Sequence, residues 1–190
     1  MKKNILFVNA CVRPQSRTLR LARHLLEKLD GEITELNLET EALQPLTKDS
    51  LARREALLQA GALDDPMLRY ARQFAAADEL VIAAPYWDLS FPAALKTYLE
   101  HISVVGVTFQ YNELDQPVGL CRVKRLWYVM TAGGPILPPN HGLAYVKDLV
   151  QTFYGIETVR CISAEGLDLR GADPEVILSR AMKEIDRAAL

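Results

Sequence analysis

No apolar run in this chain of 190 residues is long enough to cross a membrane. The run nearest the start, Ile5-Leu6-Phe7-Val8, is bracketed by Asn4 and Asn9, whereas a helical span needs roughly 20 apolar residues. No secretory signal is expected either, since that needs a longer apolar region and a small-residue cleavage site. Cysteine is scarce: Cys11, Cys121 and Cys161 are odd in number and far apart. They match neither a disulfide framework nor a zinc site, so a reducing cytoplasm is the expected compartment and no metal is expected. Excess positive charge is missing as well. Lys and Arg number 22 against 24 Asp and Glu, for a net charge of −2, and a general nucleic-acid binder carries a basic excess. The chain also lacks GxGxxG and the GxxxxGK-Ser/Thr string, which removes the two commonest phosphate-binding fingerprints.

What is present is an alternation of apolar runs and amphipathic stretches. About half of the residues are apolar, at 49%, an ordinary share for a chain with a full core. Asn4–Asn9 reads as a strand buried on both faces. Ser16–Leu29 has Leu19, Ala22, Leu25, Leu26 and Leu29 at helical spacing, closed by Asp30-Gly31. Ile33–Leu38 alternates like a strand nearer the sheet edge, and Lys48–Gln59 is the helix of a polar stretch. Pro66 opens a helix through Ala77, and Glu79–Ala84 is a buried strand. A helix follows from Pro92 to about Ser103, then a small hairpin of Thr108–Gln110 and Val118–Leu120. Arg125–Met130, a helix from Asn140 to Phe153, strand Thr158–Ala164 and a helix opened by Asp173-Pro174 complete the order. Five strands separated by helices predict a doubly wound parallel α/β sheet with helices on both faces. With no repeat, low-complexity segment or linker, residues 1–190 are expected to form a single domain.

In such sheets ligands bind beyond the carboxyl ends of the strands, near the point where strand order reverses. Three loops therefore carry the chemistry. The first, Ala10 to Thr18, contains Arg13, Ser16, Arg17 and Thr18 and ends at a helix N-terminus. Free N–H groups and the helix dipole favour an anion there; Ser16 either gives its hydroxyl to a phosphate or caps the helix. The second, Pro85-Tyr86-Trp87-Asp88-Leu89 and on to Pro92, sets two aromatics between stiffening prolines, a rigid edge and apolar wall for a flat heteroaromatic ligand. The third, Thr131-Ala132-Gly133-Gly134, has paired glycines that either let a backbone approach a ligand closely or form an ordinary turn.

These segments resemble the flavodoxin-like NAD(P)H quinone reductase and FMN-dependent azoreductase family. The resemblance rests on PYWDLSFPAALKTYLEHI from Pro85 to Ile102, GVTF at Gly106–Phe109, TAGG at Thr131–Gly134, and Glu165-Gly166. It implies a five-stranded sheet of order 2-1-3-4-5, tightly bound FMN, and NADH or NADPH as donor. It implies that Ser16, Arg17 and Thr18 hold the FMN phosphate, that Pro85 to Leu89 lie along the isoalloxazine, and that Thr131 to Gly134 meet its pyrimidine edge. It further implies a homodimer with sites at the interface, where Phe109 and Tyr111 reach the partner's flavin. Two departures stand out. Trp87-Asp88 replaces a common Tyr-Asn, so a carboxylate beside the flavin is expected to lower its potential by repelling the anionic reduced form. Ala10-Cys11 stands where a serine often helps the phosphate, which shifts that work toward Arg13 or Arg17.

The implied chemistry is ping-pong: hydride equivalents pass from the nicotinamide to the flavin, and two electrons then pass to a quinone, azo compound or similar acceptor. No catalytic side chain is required beyond the flavin. His141 either orients or protonates an acceptor or is a surface residue near a helix start. Two other readings remain open. Cys11 to Thr18 forms a C-x5-R-T string that resembles the phosphate loop of low-molecular-weight tyrosine phosphatases, with Cys11 as nucleophile and Arg17 gripping phosphate. Pro14, which has no N–H to turn inward, speaks against it. A non-catalytic flavodoxin-type electron carrier is the third, although such carriers tend to be shorter and strongly acidic.

Overall fold

The computed structural model describes residues 2–188. Its elements in chain order are β1 (Asn4–Asn9), α1 (Arg17–Leu26), β2 (Glu32–Asn37), α2 (Lys48–Gln59), α3 (Arg69–Ala76), β3 (Glu79–Ala83) and α4 (Ala93–Ile102). They continue with β4 (Phe109–Tyr111), β5 (Pro117–Gly119), β6 (Arg125–Thr131), α5 (His141–Thr152), β7 (Thr158–Ala164) and α6 (Pro174–Ala188).

Alternation of side chains along each strand builds two cores on opposite faces of one sheet. On one face Leu6 and Val8 of β1, Leu80 and Ile82 of β3, and Leu126, Tyr128 and Met130 of β6 meet α3, α4 and α5 through Phe74, Leu95, Tyr98 and Val146. On the other, Ile5, Phe7, Val81, Trp127 and Val129 meet α1 and α6 through Leu21, Leu25, Leu178 and Ile185. Both faces of the central strands are thus covered, which is why their sequences read as unbroken apolar runs. The order is β2-β1-β3-β6-β7 with every pairing parallel, the 2-1-3-4-5 arrangement of a flavodoxin-like fold. The chain winds outward from β1 to β2, then crosses back to β3. The crevice at that reversal opens between the ends of β1 and β3.

Several boundaries move for local reasons. Helix α1 ends at Leu26 instead of Leu29. The stretch from Pro66 begins as a 3₁₀ turn, Pro66–Leu68, with the Asp65 carboxylate accepting from the Met67 N–H at 2.8 Å, before α3 starts. The small hairpin forms one residue from its expected place, β4 pairing antiparallel with β5 from Phe109↔Gly119 to Tyr111↔Pro117. Helix α2 buries none of its residues. Among the described residues no helix is long and apolar enough to cross a membrane.

Candidate functional site

Beyond the carboxyl ends of β1, β3, β6 and β7 lies a cavity of about 700 Å³. Ten of the expected residues line it: Arg13, Ser16, Arg17, Thr18, Pro85, Tyr86, Trp87, Thr131, Ala132 and Gly133. Hydrogen bonds between loops hold its walls. The Thr18 and Thr131 hydroxyls, both buried, bond to one another at 2.6 Å, and the Tyr86 N–H donates to the Thr131 carbonyl at 2.9 Å. Farther along, the Ala132 N–H donates to the Ala164 carbonyl and the Asp168 N–H to the Gly133 carbonyl, at 2.9 and 2.8 Å.

The first wall is the start of α1. Ser16 is its N-cap, its hydroxyl oxygen accepting from the Leu19 N–H at 3.1 Å. Capping leaves the Ser16 O–H proton free to donate. Of the other N-terminal amides, those of Arg17 and Thr18 find no acceptor among the described residues. These are the donors that a helix start presents to an anion. Thr18 is less available than its sequence position suggested, because its hydroxyl is committed to Thr131.

The second wall is the chain after β3. Trp87 and Ser90 exchange backbone hydrogen bonds at 3.2 and 2.7 Å, closing a tight turn over Asp88 and Leu89. Both turn residues are left-handed, with φ of 49° and 64°, a conformation that suits Asn-Gly and penalises a leucine. The turn aims Trp87 at the cavity, where the Arg13 guanidinium lies 6.0 Å from its ring centre. It also carries Asp88 and Leu89 outward; both are exposed and neither lines the cavity. The Asp88 carboxylate thus sits next to, and not within, the cavity wall.

The third wall is Thr131–Gly133. A Cβ at Gly133 would overlap an Asp168 carboxylate oxygen, so a larger residue there would displace that side chain from its present seat. Gly134 does not line the cavity, although its carbonyl accepts from the Gly166 N–H. Leu167 and Asp168, which do line it, were not singled out from the sequence. The adjacent Glu165-Gly166 pair was the available signal. Asp168 bonds to Arg17, its Oδ1 2.6 Å from Nη1.

The three residues expected in a substrate pocket lie elsewhere. Phe109 is buried in the core against Phe153, their ring centres 5.0 Å apart. Tyr111 is exposed on the hairpin. His141 lines a separate hollow with Phe91, Lys96 and Tyr145. Cys11 is buried, with its thiol 3.7 Å from the Ala83 carbonyl, and burial pushes its pKa up to about 11. A phosphatase nucleophile needs a thiolate at neutral pH. This cysteine is a neutral core thiol that does not line the cavity, so the phosphatase reading loses its nucleophile.

A family model described as a flavodoxin-like fold matches residues 3–189. The chain belongs to this family. It is 38% identical over 185 residues to the FMN-dependent NADH:quinone oxidoreductase of Coprothermobacter proteolyticus, covering 92% of this chain and 91% of that one. It is 36% identical to FMN-dependent NADH:quinone oxidoreductase 2 of Clostridium acetobutylicum, covering 97% of each. Among solved structures, an azoreductase from Bacillus anthracis superposes with a TM-score of 0.83 at 25% identity over 98% of both chains. The resemblance drawn from the Pro85 block and its companions is thus the family that these comparisons identify.

Two measurements check the site. Replacing Leu89 with Gly relieves the left-handed leucine and is expected to raise unfolding stability by about 1 kcal/mol, read by urea denaturation; a loss of stability would mean that Leu89 packs more strongly than its strain costs. The protein is expected not to turn over a chromogenic phosphate ester, because burial raises the Cys11 pKa to about 11 and keeps the thiol protonated at neutral pH. Turnover that disappears in Cys11→Ser would contradict this and restore the cysteine as a nucleophile.

Proposed function

We propose that this chain is an FMN-dependent oxidoreductase that takes electrons from NADH and delivers them to a quinone, an azo compound or a similar small acceptor. The single observation that carries the proposal is the cavity wall itself. Unpaired amides at the start of α1 face the same space as the stiff Pro85–Trp87 edge and the close-approach glycine at position 133. The residues fit the group. An anionic phosphate suits the amides of Arg17 and Thr18, the Ser16 hydroxyl and the guanidinium of Arg13 or Arg17. A flat ring suits the backbone of Pro85 to Trp87 on one side and Thr131 to Gly133 on the other.

FMN, when bound, supplies two-electron chemistry that can be split into two half-reactions, one with NADH and one with the acceptor. The protein's own share is position and electrostatics. Trp87 and Tyr86 give an apolar wall that excludes water, and Thr131 fixes the distance between the first and second loops. A ping-pong cycle and acceptance of NADPH beside NADH belong to this proposal. So does a homodimer in which the exposed Tyr111 and the hollow at His141 face the second subunit. One FMN-binding domain covers the chain in this reading, in a cytoplasmic setting consistent with three free cysteines.

The test begins with an absorbance spectrum of the purified protein and addition of NADH under nitrogen. A yellow protein that releases FMN and bleaches with NADH is the expected result, with parallel lines in double-reciprocal plots against a soluble quinone. A colourless protein that takes up no FMN would defeat the proposal. Bleaching without steady turnover on quinone would favour the electron carrier. Ser16→Ala is expected to weaken FMN retention by roughly tenfold, in keeping with loss of one charge-assisted bond; unchanged FMN affinity would remove the Ser16 hydroxyl from the phosphate site.

A further inference from the structure

Three arginines surround the first loop, and they are held differently. Arg13 lies over Trp87 and has no carboxylate partner among the described residues. Arg20, one turn into α1, is gripped by both oxygens of Glu175 at 2.7 Å and faces away from the cavity. Arg17 alone lines the cavity while bonded to a carboxylate that lines the same cavity, that of Asp168.

The seat of Asp168 is built by the backbone. Its N–H donates to the Gly133 carbonyl, and Gly133 leaves the space that the carboxylate fills. Both partners are nonetheless partly in water, their side chains 39% and 63% exposed. An ion pair in that setting contributes little. A phosphate bearing nearly two negative charges and three acceptor oxygens makes the stronger partner for a guanidinium.

We infer that Asp168 is an internal competitor for the phosphate of FMN: its carboxylate holds Arg17, and the cofactor draws the guanidinium away as it binds. This rests on the FMN reading given above. Asp168 keeps Arg17 neutralised and in place at the mouth of the cavity, and it lowers the affinity that the phosphate would otherwise reach. A flavin without phosphate has nothing to offer Arg17 and leaves the pair intact. Asp168 thereby sets how firmly this chain retains its cofactor.

The experiment uses the purified full chain, depleted of flavin by dialysis and titrated with FMN and with riboflavin by flavin fluorescence. Asp168→Asn is expected to tighten FMN by about two- to fivefold, the range an exposed ion pair is worth, with riboflavin unchanged. In an Arg17→Ala background the same substitution is expected to change FMN affinity by less than about twofold, because the competition has lost its object. Weaker or unchanged FMN binding in Asp168→Asn would overturn the inference; weaker binding would make Asp168 a residue that positions Arg17 for the phosphate. Equal shifts for FMN and riboflavin would also overturn it, since the effect would then have nothing to do with phosphate. Unaltered protein that binds neither flavin would instead sink the FMN reading, before any variant is compared.

Discussion

Thr131 is the point at which three loops become one site. It is the last residue of β6, and its place is fixed by parallel pairing with Ala164 of β7. From there its carbonyl accepts from Tyr86 in the loop after β3, and its hydroxyl bonds to Thr18 at the start of α1. A buried hydroxyl pair left unsatisfied costs about 1–3 kcal/mol, so both threonines are held to this arrangement. The cavity walls inherit their spacing from it: loop one cannot drift from loop three, nor loop two from either.

That junction is possible because the sheet delivers its strand ends to the same edge. β1, β3 and β6 run parallel, with Val8, Ile82 and Tyr128 side by side. Covering both faces with helices leaves the edge as the place where backbone groups and polar side chains can meet a ligand. The reversal in strand order between β1 and β3 then keeps the helices that follow them, α1 and α4, on opposite faces and opens the crevice.

Much of this was legible in the sequence. Leu6-Phe7-Val8 and Leu80-Val81-Ile82 are apolar throughout because each alternate residue enters a different core, and such runs mark central strands directly. The Pro85 block and the Thr131–Gly134 string were legible from their prolines, aromatics and paired glycines at strand ends, and from the family they resemble. Illegible were the features set by tertiary partners. Phe109 carries no local sign that it packs in the core against Phe153. His141 starts α5, and the direction in which α5 leaves the third loop carries it to another hollow. Asp168 lies 151 positions from Arg17, so nothing within either segment announces the pair. The string from Cys11 to Thr18 misleads for a local reason: nucleophilicity depends on exposure, and the alternation of β1 runs on through Ala10 and turns Cys11 into the core.

The turn at Asp88-Leu89 is where local preference and the fold part company. Two non-glycine residues at positive φ oppose what a free chain would choose, and the mutual hydrogen bonds of Trp87 and Ser90 hold them there. The neighbouring helix leaves no slack, since a Cβ on Gly142 would press on the Ser90 backbone at 3.1 Å. Strain of this kind persists only where surrounding structure enforces it. Here the enforcement comes from α5 behind and Thr131 beside, and its product is the orientation of Trp87 toward the cavity. Nothing in the structure explains the leucine, and a relaxed Asn-Gly turn would satisfy the same two hydrogen bonds with less strain.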